Sequence, residues 1–456
     1  MHLLKKPVLK YESAFYRTAL SISIPVIISN LINIGLNMID TIMIGKLGVL
    51  ELSGVGAANR ITFICSLMCF GFYGGMMIFV SQYWGAKDIK NIHRLLGVAY
   101  SCGIALCLCF MAISLIWPYQ LMGLFGEDPR VIQHGVDFLR IVQISYLFSA
   151  VTFLLTCASR SIHRLLVPTI INTFALLFNV FFNYCLIFGK FGFPTWGVKG
   201  AAIATVGARL IEMILLLLYV YVLSKDHPLA AKFSMMFPFD KAYVKNLFKT
   251  TLPTLINEGI WSIGTSVYFI AFGKVNSSAI AVVQVASVVN DLFTAIFFGL
   301  GNASMVMIGN ELGRKNTDLA YRYGKTFIKA GLVCSAFATV ALIACRSAIV
   351  NIYDFDAFTN QQLMGTLLVY GLFIAPRMMG YATSIGVLRA GGDTRFCLIC
   401  DIIGIWGLGI PLAFLGALVL HLSLPWVVAL CFSEEIIKIF FFFHRFRSKR
   451  WINVLV

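Results

Sequence analysis

Two carboxylates stand inside long apolar runs with no cation within a helical turn. Asp40 lies in GLNMIDTIMIG, and the nearest positive residue, Lys46, falls at a loop. Asn33 and Asn37, seven and three residues before it, share its helix face. Glu258 lies in LPTLINEGIWSIG. Pro253 frees a backbone carbonyl one turn below, and Gly259 thins the helix. An unpartnered carboxylate at lipid depth costs several kcal/mol. The chemistry open to such a group is reversible binding of a cation or a proton. Trp261 and Tyr268 stand near Glu258. An acid among aromatics suits a lipophilic cation, while ordinary bundle packing is the plainer account of the aromatics taken alone.

Other charges inside apolar runs read as structural. Asp137 and Arg140, Arg209 and Glu212, and Glu434 and Lys438 are spaced to neutralise each other on one helix. Asp401 lies about one turn from a helix end. Asp291 is deep without a local partner, and Arg377 is a deep cation expected to meet an acid or water. No G-x-x-x-x-G-K loop for ATP is present. No nucleophile–histidine pairing is legible, and His93, His163, His421 and His444 read as surface residues. The chain is therefore not expected to be an enzyme, and it needs no cofactor. The twelve cysteines sit mostly inside apolar runs without zinc-like spacing and read as small hydrophobes.

Holding these groups requires lipid-embedded helices. Of 456 residues, 59% are hydrophobic and 12% charged. A soluble chain runs nearer a quarter charged and could not coat this much core. That excludes a soluble enzyme, a disulfide scaffold and a disordered chain. Twelve apolar runs of spanning length lie near 18–44, 52–82, 94–117, 131–158, 167–189, 197–223, 248–273, 279–309, 323–350, 362–388, 396–419 and 424–444. With the N-terminus placed in the cytoplasm, 24 Lys and Arg fall on the cytoplasmic side and 6 on the other. This asymmetry predicts cytoplasmic termini in the cell (inner) membrane and explains the net charge of +16 without a nucleic-acid partner. The charged start runs into a full-length span, so neither a cleavable signal peptide nor a soluble domain at either end is expected.

The sequence repeats on itself at an offset of 228. Pro25 meets Pro253, Gly45-Lys46 meets Gly273-Lys274, Gly85 meets Gly313, and Lys87 meets Lys315. A one-residue shift brings Arg160 onto Arg389. Each half holds six spans, an even number, so both enter the membrane in the same orientation. The predicted fold is an all-α integral membrane protein. It has twelve transmembrane helices in two six-helix bundles, related by a pseudo-two-fold axis along the membrane normal. The N-terminal bundle is 1–223, the cytoplasmic linker or hinge 224–247, and the C-terminal bundle 248–456. Two fused repeats make a monomer sufficient. Such bundles suit an alternating-access carrier better than a channel.

Over essentially its whole length the chain resembles the multidrug and toxic compound extrusion (MATE) transporters, within the multidrug/oligosaccharidyl-lipid/polysaccharide exporter superfamily. The likeness rests on MIDTIMIGKLG at 38–48, NYCLIFGKFGFPTWGVKGAAIAT at 183–205, LPTLINEGIW at 252–261 and LRAGGDTR at 388–395. It implies antiport of hydrophobic, often cationic compounds against sodium or protons. It also implies that Asp40 is a coupling-ion ligand, joined in some members by residues matching Asn179, Asn183, Thr205 and the Ala201 carbonyl. Glu258 matches the acid of the seventh span. A further acid that some members carry in span 10 aligns with Arg377 here.

Helical rise places Asp40, Asn179, Asn183, Ala201 and Thr205 about 6–15 Å below one membrane face. One carboxylate, two amides, a hydroxyl and a carbonyl make an all-oxygen set of charge −1. That set suits a monovalent hard cation, sodium ahead of protons. Glu258, Trp261 and Tyr268 are the candidate substrate contacts, for a small lipophilic compound drawn from cytoplasm or lipid. A lipid-linked precursor flippase is the alternative, but its cavity should be rich in deep cations, and few are present.

Overall fold

The computed structural model describes residues 5–125, 128–224, 226–237, 240–276, 278–351 and 355–456; for 5–14, 49 and 233 only the backbone is described. No strand occurs among the described residues. The helices are α1 (Lys5–Gly45), α2 (Val49–Gly85), α3 (Ile89–Ile116), α4 (the pair Pro129–Val142 and Ser145–Ser161) and α5 (Leu166–Phe188). Then come α6 (Gly197–Leu218), α7 (Lys241–Gly273), α8 (Ala279–Gly313), α9 (Thr317–Val350), α10 (Ala357–Tyr381), α11 (Thr394–Val419) and α12 (Leu424–Arg447).

Nine of these helices are long and apolar enough to cross a bilayer, and the two parts of α4, bent by 53°, make a tenth. Helices α7 and α12 complete the twelve expected. They are more polar: α7 carries Asn257 and Glu258, and α12 carries Glu434, Glu435 and Lys438. Several spans contain wider π-helical turns, at Tyr219–Leu223 after α6, at Ala382–Leu388 after α10, and at Ile403–Gly409 and Leu415–Val419 within α11. Such turns gather at functional positions in helices.

The 228-residue repeat is written into the local geometry. Helices α1 and α7 end at Gly45 and Gly273, and α2 and α8 at Gly85 and Gly313. Lys87 and Lys315 both take left-handed backbone, at φ 60° and 61°. The next residues, Asp88 and Asn316, cap α3 and α9 by accepting the N–H three residues on. Pro25 and Pro253 both lie inside their helices.

Contacts divide the chain into two compact units. One comprises Met1–Ile27, Ser81–Ala86 and Leu252–Val456, and the other Ile28–Val80 and Lys87–Thr251. Helices α1 and α7 thus change unit near their prolines, and α2 gives its last turns to the first unit. Within that unit, α2 and α8 cross at backbone contact. A Cβ on Gly85 would strike the Asn310 backbone, and one on Gly313 the Gln82 backbone. The pairs 82/310 and 85/313 are repeat mates, so the contact is reciprocal. Gln82 also donates to the Ala390 and Asn453 carbonyls, both at 3.2 Å, and accepts from the Leu455 N–H at 2.8 Å.

The described part of the predicted hinge packs on α3. His93 Nε2 lies 2.9 Å from the Pro228 carbonyl, so His93 is not the plain surface residue expected. A short helix, Phe233–Met236, follows, and the Met236 backbone reaches Gly97, where a Cβ would not fit. Lys225 and Pro238 lie outside the described residues, as do the side chains of Lys5, Lys6 and Lys10.

Candidate cation and substrate sites

The second unit brings Asp40 and its four expected partners together. Helices α5 and α6 are joined by a turn that Gly189 opens in the left-handed region, at φ 66°. They then pack closely because Gly200 has no Cβ: one would lie 2.6 Å from the Leu186 carbonyl oxygen. Asn179 and Asn183 on α5 face Ala201 and Thr205 on α6. The Asn183 amide donates to the Asp40 carboxylate and reaches Asn179 Oδ1 at 3.3 Å. Asn179 donates to Thr205 Oγ1 at 3.4 Å, and Thr205 donates to the Ala201 carbonyl at 3.0 Å. Asn183 is fully buried, and its Oδ1 has no hydrogen-bond partner. A buried amide oxygen in that state is costly unless something else meets it.

A second polar chain in the same unit went unforeseen. Asn33 donates to the Ser29 carbonyl at 2.7 Å, and Asn33 and Ser29 both reach Asn172 Oδ1. Asn172 donates to Glu212 at 3.0 Å, and Glu212 pairs with Arg209 at 2.7 Å. The expected Arg209–Glu212 pair therefore forms, but as the end of a longer network. Asn172 was legible in principle, seven residues before Asn179 on one face of α5. The expected Asp137–Arg140 pair does not form. Asp137 meets Lys199 at 3.4 Å instead, and Arg140 lies over the Tyr119 ring.

In the first unit Glu258 is not a lone acid. Arg389 donates to it at 2.9 Å, with both side chains almost wholly buried. The two stand 131 residues apart in sequence, so helical spacing could not reveal the pair. Tyr268 is buried, and its hydroxyl donates to Glu434 at 2.9 Å. Trp261 remains 42% exposed. The three residues proposed to meet substrate thus divide: Trp261 presents a face, while Glu258 and Tyr268 are engaged inside the bundle. Arg377 meets an amide, Asn290, at 3.2 Å, and lies over the Phe432 ring. Asp291 is exposed.

The sequence profile of the MatE family matches residues 25–185 and 253–415, two stretches that begin 228 residues apart. The chain belongs to the MatE family. A MatE-family chain of this kind is a multi-pass membrane transporter and not an enzyme. It is 24% identical over 462 residues to the uncharacterized transporter YisQ of Bacillus subtilis, covering 99% of this chain and 97% of that one. It is 25% identical to the multidrug resistance protein MdtK of Pectobacterium atrosepticum, covering 87% of each. It is also 25% identical to the multidrug resistance protein PmpM of Pseudomonas aeruginosa, covering 87% of this chain and 82% of that one. A crystal structure of MATE in complex with MaL6 superposes with a TM-score of 0.85 at 16% identity, covering 95% of this chain and 96% of that chain. An outward-facing MATE family transporter gives 0.79 over the same shares, also at 16% identity. At that identity the likeness establishes the MatE fold alone.

Proposed function

We propose that this transporter exports hydrophobic, often cationic small molecules in exchange for sodium bound at Asp40. The observation that carries the reading is the linked chain Asp40–Asn183–Asn179–Thr205–Ala201, with its unpartnered Asn183 oxygen. Amide, hydroxyl and carbonyl oxygens do not titrate near neutral pH, so they add nothing to proton binding. They do coordinate hard cations, and a single carboxylate matches a monovalent charge. The multidrug resistance names of MdtK and PmpM support the substrate class. Trp261 offers an aromatic face to a lipophilic cation, and a cationic substrate reaching Glu258 competes with Arg389 for it. The protein sits in the bacterial inner membrane as a monomer, with the bundles 1–223 and 248–456 joined by a cytoplasmic linker at 224–247.

Efflux into everted vesicles under separately imposed gradients tests this reading. A sodium gradient drives accumulation without a pH gradient, and Asp40→Asn abolishes it. Accumulation that follows the pH gradient alone and ignores sodium would reduce the Asp40 set to a hydrogen-bond network around a proton carrier.

A further inference from the structure

The first unit contains an ionic cluster that the Asp40 site does not use. The Lys438 ammonium on α12 lies 3.2 Å from Glu435, 3.4 Å from Glu434 and 3.5 Å from Asp401. Two residues of α7 close the cluster. Tyr268 donates to the second oxygen of Glu434 at 2.9 Å, and Asn257 donates to the second oxygen of Asp401 at 2.9 Å. Glycines make the room. A Cβ on Gly404 would fall 2.5 Å from Glu434 Oε2, and one on Gly409 would strike the Tyr268 hydroxyl. Both belong to the π-helical turn Ile403–Gly409. Glu434 stands ten residues from the start of α12 and thirteen from its end, about 15 and 20 Å from the two.

The charges do not balance. Sequence spacing paired Glu434 with Lys438 as a neutral couple, whereas three carboxylates share that one ammonium. The other charged or titratable groups around them supply no second cation. From α7, Glu258 is matched by Arg389. From α10, Arg377 is held by Asn290 and the Phe432 ring. Cys400 on α11 and Cys431 on α12 can add no positive charge. Three ionised carboxylates around one ammonium, with side-chain exposures of 4–18%, face mutual repulsion and loss of hydration together. The deficit cannot be met by a metal ion, because Nζ already occupies the point the three carboxylates share. Asn257 is 2% exposed, turns its amide into the cluster and leaves its Oδ1 without a hydrogen-bond partner. The polar lining therefore has unused capacity.

We propose that this cluster is a proton-binding site, in which one of the carboxylates around Lys438 carries a proton at neutral pH while Lys438 remains charged. The step is a simple protonation: a carboxylate takes a proton from water and returns it to water. Glu434 accepts from Tyr268 with Oε1, while its Oε2 faces the Lys438 ammonium at 3.4 Å without a hydrogen bond. Glu435 is the most exposed of the three carboxylates, so Glu435 is the side from which the proton leaves. The site is chemically distinct from the amide-rich Asp40 set and gives the first unit its own proton-responsive group.

Infrared difference spectra of the full-length protein in lipid, between about pH 6 and about pH 9, test the assignment without any transport step. Wild-type protein shows a protonated-carboxyl band that disappears on the alkaline side. Glu434→Gln and Glu435→Gln each lose that band, and Asp40→Asn keeps it, so the result does not depend on the sodium reading. Lys438→Met gains carboxyl intensity because the remaining acids lose their cation. Identical spectra in wild type and both Gln variants overturn the proposal, as does a Lys438→Met spectrum with no added protonated carboxyl.

Discussion

Asn183 holds Asp40 with one end of its amide and leaves the other end open. In the proposed sodium site the open oxygen and the Asp40 carboxylate are the leading ligands, and Asn179 and Thr205 are hydrogen-bonded in line behind them. Asn179→Ala and Thr205→Ala each remove two of the chain's hydrogen bonds, together at least about 1 kcal/mol. The expected result is a roughly fivefold rise in the sodium concentration for half-maximal efflux, read in vesicles, with substrate affinity unchanged. Glu258 presents a different case. Glu258→Gln leaves Arg389 charged and buried without its partner, which costs about 3–5 kcal/mol. A large drop in thermal stability in detergent is expected, with partial recovery in the double variant Glu258→Gln, Arg389→Gln. An unchanged melting temperature in the single variant would show that water reaches Arg389. Asp40 and its four neighbours could be named in advance because resemblance and helix depth agreed. Arg389 and the reach of Asp401 could not, because each meets its partner from a helix remote in sequence. Asn172 and Glu435 lie within helical spacing of Asn179 and Lys438 and were legible in principle.

Between residues and the whole chain, the helices carry their own tests. Gly85 and Gly313 allow backbone contact between α2 and α8. Gly313→Ala forces the helices apart, because the obstacle is backbone and cannot rotate away. Its cost is about 1–3 kcal/mol, visible as a lowered melting temperature and faster hydrogen exchange at 81–86. The linker offers a pH test. His227 Nδ1 accepts from the Leu229 N–H at 3.2 Å, so the ring must be neutral there. Burial, and then Arg164, push its pKa down to about 4. In the opened loop the imidazole takes a proton below about pH 6.5, whereas the closed loop resists it until about 4. The loop is therefore most stable above the higher value and loosens as pH falls between the two. Hydrogen exchange at Leu229 should accelerate across that window, and His227→Gln should flatten the response. Spans were legible from apolar length. Their π-helical breaks were not, because a wider turn leaves no composition signal, and the glycines at 404 and 409 read as ordinary small residues until side chains filled the space beside them.

At the scale of the molecule, the charge asymmetry predicts opposite exposure of two loops. Single cysteines introduced at 193 and 235 in a cysteine-free background should label from opposite membrane faces. Labelling of both from one face would contradict the twelve-span topology. The repeat was the most informative whole-chain signal, since it anticipated helix ends and matched positions that the caps at Asp88 and Asn316 later shared. What it could not give was the exchange of helix segments between compact units, because contact partners are not encoded in periodicity. The crossing of α2 and α8 carries one more implication. Residue 85 meets 310 while 313 meets 82, the i-to-j and j-to-i pattern of an isologous interface between identical subunits. A chain that began as a half-length polypeptide pairing with its own copy would have had this contact twice, by symmetry. In this chain the two halves differ in chemistry, with amides around Asp40 in one and carboxylates around Lys438 in the other, while Gly85 and Gly313 keep the reciprocal contact that such a symmetric pair would have had.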